Sequence, residues 1–125
     1  DNLMVLPFQP YAQYPDVLAT ADVLVAMIEN DSGEYSVPSK LLSYLSAGRS
    51  IVLSAPEENL AAEIIERSGA GISGRPGDTV AFVTSVERLL ADASMRQELG
   101  RKARAYAENT FDIRRIGQRF EALLK

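Results

Sequence analysis

Glu29 to Gly48 reads E-N-D-S-G-E-Y-S-V-P-S-K-L-L-S-Y-L-S-A-G. An apolar run, Val23-Leu-Val-Ala-Met-Ile28, leads into it, and a second, Ile51-Val-Leu53, leaves it. Its first half is polar and loop-like. Its second half carries helix punctuation. Pro38 suits the first helical position, where a missing N–H costs nothing. Leu41, Leu42 and Leu45 then recur at helical spacing, and Gly48 is placed to close the helix. The order is strand, polar loop, helix, strand. In an open α/β sheet, ligands sit at the carboxyl ends of strands, where such loops lie. A helix start there offers N–H groups and a partial positive charge to an anion, and Lys40 adds a full charge. Ser39 and Lys40 therefore mark the place to look for a phosphate. The competing reading is ordinary helix-start chemistry with a solvated lysine.

Working outward toward the N-terminus, Leu3-Met-Val-Leu6 reads as a strand ending at Pro7. Tyr14 to Ala21 reads as a short helix with Pro15 and Asp16 in its first turn. Val23–Ile28 has almost no polar alternation, which predicts a parallel strand buried on both faces.

Toward the C-terminus, Ile51–Leu53 is the next strand. Asn59 is a candidate N-cap for a helix to about Arg67, with Leu60, Ile64 and Ile65 facing the core. Ala70–Ser73 is a weak further strand, rich in glycine. Asp78 caps the following helix, whose apolar stripe is Val80, Val83, Val86, Leu89 and Leu90. Ser94 is the candidate cap of a helix over Met95–Asn109 with Met95, Leu99, Ala103 and Tyr106 inward; Gly100 interrupts its pattern. Phe111 reads as an anchor. Asp112 opens a last helix with Ile113, Ile116, Phe120, Leu123 and Leu124 on one side. Strands alternating with helices predict right-handed crossovers and a mostly parallel sheet of about four strands with flanking helices and a two-helix C-terminal tail.

Composition narrows the chemistry. The 125 residues suffice for one domain with its own core. Hydrophobic residues make up 46% and charged residues 24%, the balance of an ordinary globular chain. A net charge of −4 argues against a polyanion partner such as nucleic acid. With neither cysteine nor histidine in this chain, disulfides, zinc thiolate sites, a cysteine nucleophile and a Ser-His-Asp triad are excluded from it. Chemistry here has to run on carboxylates, hydroxyls, lysines and positioning. No apolar run approaches the roughly 20 residues of a membrane-spanning helix. The chain opens at Asp1 and moves at once into a strand-like run, which points to a piece of a longer protein.

An ordered series of short motifs resembles a known family. Its members are Ala21-Asp22-Val23-Leu24-Val25, Val37-Pro38-Ser39-Lys40-Leu41-Leu42-Ser43-Tyr44-Leu45-Ser46-Ala47-Gly48, Ile51-Val52-Leu53-Ser54, Ser68-Gly69-Ala70-Gly71-Ile72, Pro76-Gly77-Asp78 and Leu89-Leu90-Ala91-Asp92. Arg96, Leu99, Gly100, Ala103 and Phe111 follow in the same order. Together they resemble the later part of the C-terminal domain of group 1 (GT-B fold) glycosyltransferases, over nearly the whole chain. The P-S-K-L variant is similar to that of transferases that build bacterial surface polysaccharides.

The resemblance implies a Rossmann-like half domain, with residues 1–125 one partial donor-binding domain and the N-terminal acceptor domain absent. It implies a retaining, metal-independent transferase with a nucleotide-diphosphate sugar as co-substrate, no cofactor and no metal. The intact protein would be cytoplasmic, with peripheral membrane contact as an option. The pyrophosphate would lie against Ser36–Lys40. Members flank this loop with two glutamates, one near the donor sugar and one on the ribose hydroxyls. Counted from Ala47-Gly48, the second position falls on Ser43 and the first on Tyr35, beside Glu34. Ser43 can give one hydrogen bond to a ribose hydroxyl but not the paired acceptance of a carboxylate. The donor-binding set implied is therefore Glu34, Tyr35, Ser36, Ser39, Lys40 and Ser43, with no catalytic residue assigned. In the family's strand order Leu3–Leu6 lacks its neighbours here, which predicts a rearranged sheet or a homodimer paired through that strand.

Two alternatives stand beside this. One is a non-catalytic α/β regulatory module; against a receiver-type domain, Asp31 has no partner carboxylate at a neighbouring strand end. The other is a helical interaction module, whose Arg96, Arg101, Lys102, Arg104, Arg114, Arg115 and Arg119 could meet an acidic partner or an anionic membrane.

Overall fold

The computed structural model describes residues 2–124. The chain forms a parallel sheet of three strands, β1 (Val23–Met27), β2 (Ser50–Ser54) and β3 (Gly71–Gly74), in the order β1-β2-β3. A single 3-10 turn, Tyr11–Gln13, leads into α1 (Tyr14–Ala19). The remaining helices are α2 (Ser39–Ala47), α3 (Leu60–Ser68), α4 (Thr79–Ala91), α5 (Ala93–Thr110) and α6 (Ile113–Leu123). The α/β class and the parallel sheet agree with the sequence. The strand number does not: Leu3–Leu6 is irregular chain with exposed side chains and forms no ladder, so the sheet has three strands rather than four. An apolar tetrapeptide becomes a strand only where a neighbour accepts its hydrogen bonds, and this one has none among the described residues.

β2 is the central strand, and its Ile51, Val52 and Leu53 are fully buried. Ile51 and Leu53 join Ala26 and Ile28 from β1, Leu41 and Leu45 from α2, Ala61, Ala62 and Ile65 from α3, and Ala103 and Ala107 from α5 in one core cluster. Val52 points the other way and is still buried. Its cover is α4, which lies across all three strands and buries Leu89 outside that cluster.

This cover stops short of the edge. On β1, Leu24 and Ala26 are buried, but Val25 is 44% and Met27 69% exposed. The expectation of burial on both faces, made for Val23–Ile28, therefore fails for β1, which lies at the end of the sheet; the central β2 is the strand buried on both faces. The α4 stripe is similarly narrower than its pattern: Leu89 is buried, while Val80, Val83 and Leu90 are exposed.

The helix ends follow side-chain chemistry. Asn59, Asp78, Asp92 and Asp112 each accept a backbone N–H at the start of α3, α4, α5 and α6. Asp92 takes the place expected of Ser94, because α5 begins at Ala93 and the Asp92 carboxylate reaches the Met95 N–H at 2.9 Å. Pro38 is the N-cap of α2 rather than its first helical residue. Gly48 and Gly69 close α2 and α3 in the left-handed region, at φ of 67° and 62°.

α5 is no tail. It packs along α2 and against β2, burying Gly100, Ala103 and Ala107. Tyr106 and Phe111 meet edge to face, with ring centroids 6.1 Å apart, and both pack on the core. Phe111 is thus the anchor expected of it. Of the α-helices, α6 alone buries none of its residues.

Candidate functional site

The three strands run parallel, so their carboxyl ends share one edge of the sheet. Three connections gather there: residues 28–38 after β1, 55–59 after β2 and 75–78 after β3. The first is the longest and carries Glu34, Tyr35 and Ser36, half of the residues implied in donor binding; the other half lie in α2.

That loop is held from two sides. At its start the Ile28 amide continues the ladder, donating to the Ser54 carbonyl at 2.8 Å. The chain then turns at Glu29–Ser32, where Ser32 N–H donates to Glu29 O, and again at Gly33–Ser36, where Ser36 N–H donates to Gly33 O. The second turn rests on the start of α3. Asn59 Nδ2 donates to Gly33 O at 2.8 Å and to Ser36 O at 3.2 Å, and Leu60 N–H donates to Glu34 O at 2.8 Å. Val37 then packs against the core cluster and delivers the chain to α2.

With the turn's carbonyls drawn toward α3, Glu34, Tyr35 and Ser36 are left exposed to solvent. Ser39 and Lys40 follow in the first turn of α2, both exposed. Lys40 has no carboxylate within ion-pair distance among the described residues. Pro38 has no side-chain oxygen to offer, so the α2 start lacks the side-chain cap that α3 to α6 each have. Its amide donors keep their positive potential facing the loop and solvent. The arrangement can hold an anion by backbone donors, hydroxyls and one ammonium.

Ser43 stands apart from this group. It lies one turn further along α2, where its hydroxyl donates back to Ser39 O at 3.4 Å. It lines a hollow of about 310 Å³ with Tyr14, Pro15 and Leu18 of α1, Ser46 and Ala47 of α2, and Arg104 of α5. The sequence pattern pointed to neither α1 nor Arg104 as a wall of this hollow. Arg104 is fixed there by Nη1 donating to Ser46 O at 2.7 Å and by its ion pair with Glu108. Next to Ser43, Tyr44 packs against the core; burial, and then the nearby Tyr14, push its phenol above the usual tyrosine range.

Elsewhere on the same edge, Arg75 donates through Nε and Nη2 to Glu57 Oε1, at 3.0 and 2.8 Å. This pair ties the loop after β3 to the loop after β2. Among the described residues no group of three or more carboxylates gathers where it could hold a metal ion, and no helix is long and apolar enough to cross a membrane.

Asn59 is the site's unforeseen member. Its capping role was legible, since it opens an apolar helical run. Its grip on Gly33 and Ser36 crosses more than twenty residues of sequence and left one faint signal: an asparagine where the other capped helices use aspartate. The chain matches no model of a known protein family and no curated protein.

Proposed function

We propose that this chain is the nucleotide-binding part of a glycosyltransferase that uses a nucleotide-diphosphate sugar, a Rossmann-like portion of a GT-B C-terminal domain. The observation that carries the reading is the uncapped α2 start. It bears Ser39 and Lys40 and is fed by a pinned polar loop at the carboxyl edge of a parallel sheet.

In this reading Ser39, Lys40 and the first amides of α2 hold the diphosphate. Their charge and dipole stabilise the negative charge that develops on the leaving nucleotide as the glycosyl bond breaks. Glu34 accepts from sugar hydroxyls, with Tyr35 and Ser36 beside it. Ser43 would donate to the ribose from the hollow beside α1, so the nucleotide would run along α2 from its start toward that hollow. The acceptor and the catalytic group belong to the rest of the transferase. Surface polysaccharide synthesis at the cytoplasmic face of a membrane is the setting proposed, on the P-S-K-L variant alone.

Calorimetric titration with UDP and GDP, beside Lys40→Ala, tests it. Binding by the parent that falls at least about tenfold in the variant is the expected result, an ion pair to phosphate contributing on that order. Equal binding by parent and variant, or none by the parent, counts against the α2 start as the diphosphate site.

The second reading, a non-catalytic module with a basic helical tail, draws on α6, whose Ile113, Phe120 and Leu123 are exposed, with Leu124 just beyond it, beside Arg114, Arg115 and Arg119. Unchanged association with anionic vesicles after reversal of these arginines would remove its membrane form.

A further inference from the structure

Among the described residues two polar side chains are buried, Ser50 and Asn59, and Asn59 uses both the oxygen and the nitrogen of its amide. It is 1% exposed. Its Oδ1 accepts the Ala61 N–H at 2.9 Å, which is all that capping α3 requires. The other capped helices make that bond with Asp78, Asp92 and Asp112, acceptor-only side chains, none of them fully buried. At α3 an aspartate would set a carboxylate oxygen against two carbonyl oxygens, those of Gly33 and Ser36. The amide nitrogen of Asn59 instead donates to both.

We infer that Asn59 is a positioning residue for nucleotide binding, a latch that fixes the Gly33–Ser36 turn on the start of α3 and so presents Glu34, Tyr35 and Ser36 ahead of Lys40. The inference rests on the nucleotide-binding reading for its ligand. The latch itself rests on the bonds. Three of the turn's carbonyls are taken from the α3 side, Gly33 and Ser36 by Asn59 Nδ2 and Glu34 by Leu60 N–H. With the carbonyls satisfied there, the side chains face solvent, and the turn does not have to be ordered by the ligand. Ordering a loop on binding weakens affinity, so a loop ordered beforehand binds more tightly. Gly33 sits at φ +79° with no atom within 4 Å of where a Cβ would stand, so packing around Gly33 does not hold the turn. Its hydrogen bonds do.

The test separates the cap from the latch. Asn59→Ser keeps an oxygen for the Ala61 amide and removes both donors to the turn. Asn59→Ala removes all three bonds. Amide exchange at residues 33–37, the unfolding midpoint, and titration with UDP and GDP are read on the parent and both variants. In Asn59→Ser we expect exchange at 33–37 to rise by about tenfold or more while α3 stays protected, and nucleotide affinity to fall by about tenfold, the effect of losing one or two buried hydrogen bonds to an ordered loop. Unchanged exchange at 33–37 overturns the latch. Faster exchange with unchanged affinity overturns its role in binding. A parent that binds neither nucleotide overturns the nucleotide reading and the ligand half of this inference, while the exchange data still decide the latch. Should Asn59→Ser fail to fold, Asn59→Thr, which also keeps a capping oxygen and lacks the amide donors, is read in the same way.

Discussion

Gly100, in the middle of α5, lies directly against the Gly48 carbonyl: a Cβ built on Gly100 would stand 2.4 Å from that oxygen. No side chain separates α5 from the turn that links α2 to β2, and the two helices pack closely along their length. The contact turns a glycine that reads as a helix interruption into the residue that lets α5 join the core.

The sign of one substitution follows. In a solvated helix, glycine to alanine stabilises by about 1 kcal/mol. At Gly100 the new methyl would meet backbone that cannot swing aside, and overpacking of this kind costs about 1–3 kcal/mol. Gly100→Ala is therefore expected to lower the urea midpoint, and a rise would show that α5 does not seat on Gly48.

Tyr44 carries a pH dependence. Burial, then Tyr14, raise the pKa of its phenol in the folded state above that in the unfolded chain. A raised folded value contributes stability that is present in full below the unfolded pKa, about 10, and is lost as pH rises through the folded one. Unfolding midpoints measured between about pH 8 and pH 11 should fall more steeply in the parent than in Tyr44→Phe. Parallel curves would show that Tyr44 is not the group responsible.

Asp92 and Ser94 give a paired test of where α5 begins. Asp92 accepts the Met95 N–H, and its loss as Asp92→Ala should cost about 1 kcal/mol. Ser94 is exposed, inside the helix, and makes no capping bond. Ser94→Ala should leave thermal unfolding unchanged or slightly improve it. The opposite order of effects would move the helix start to where the sequence pattern put it.

Much of this architecture could be read from the chain because it is written locally. Pro38, Gly48, Asn59, Gly69 and Asp78 punctuate their helices within a few residues of the bonds they make. The apolar runs at Val23–Ile28 and Ile51–Leu53 marked β1 and β2 as strands, though not which of them lies at the centre of the sheet. Features decided across the sheet were not legible in this way. Leu3–Leu6 has strand composition but no strand partner among the described residues. Val25 and Met27 look like the buried residues of β2 and differ only in lying on the outer strand. β3 reads as weak because Gly71 lacks a side chain, yet a Cβ there would collide with the Ile51 carbonyl at 1.9 Å, so the glycine is what allows the ladder. In the candidate site the α2 start was legible from Pro38-Ser39-Lys40. The separate setting of Ser43 and the hold of Asn59 on the preceding turn depend on how α1 and α3 fold back.

The exposed face of α6 has a thermodynamic consequence. A helix of 11 residues is marginal in water on its own, and this one returns no buried side chain to the rest of the chain. Only Ile116 is half-buried, so opening of α6 should disturb the core little, and its exchange protection should fall far below that of β2 and α5 under the same conditions. A melting curve of this chain should therefore record a cooperative unit that ends near Phe111, and a chain cut after Asp112 should melt at the same temperature as the parent.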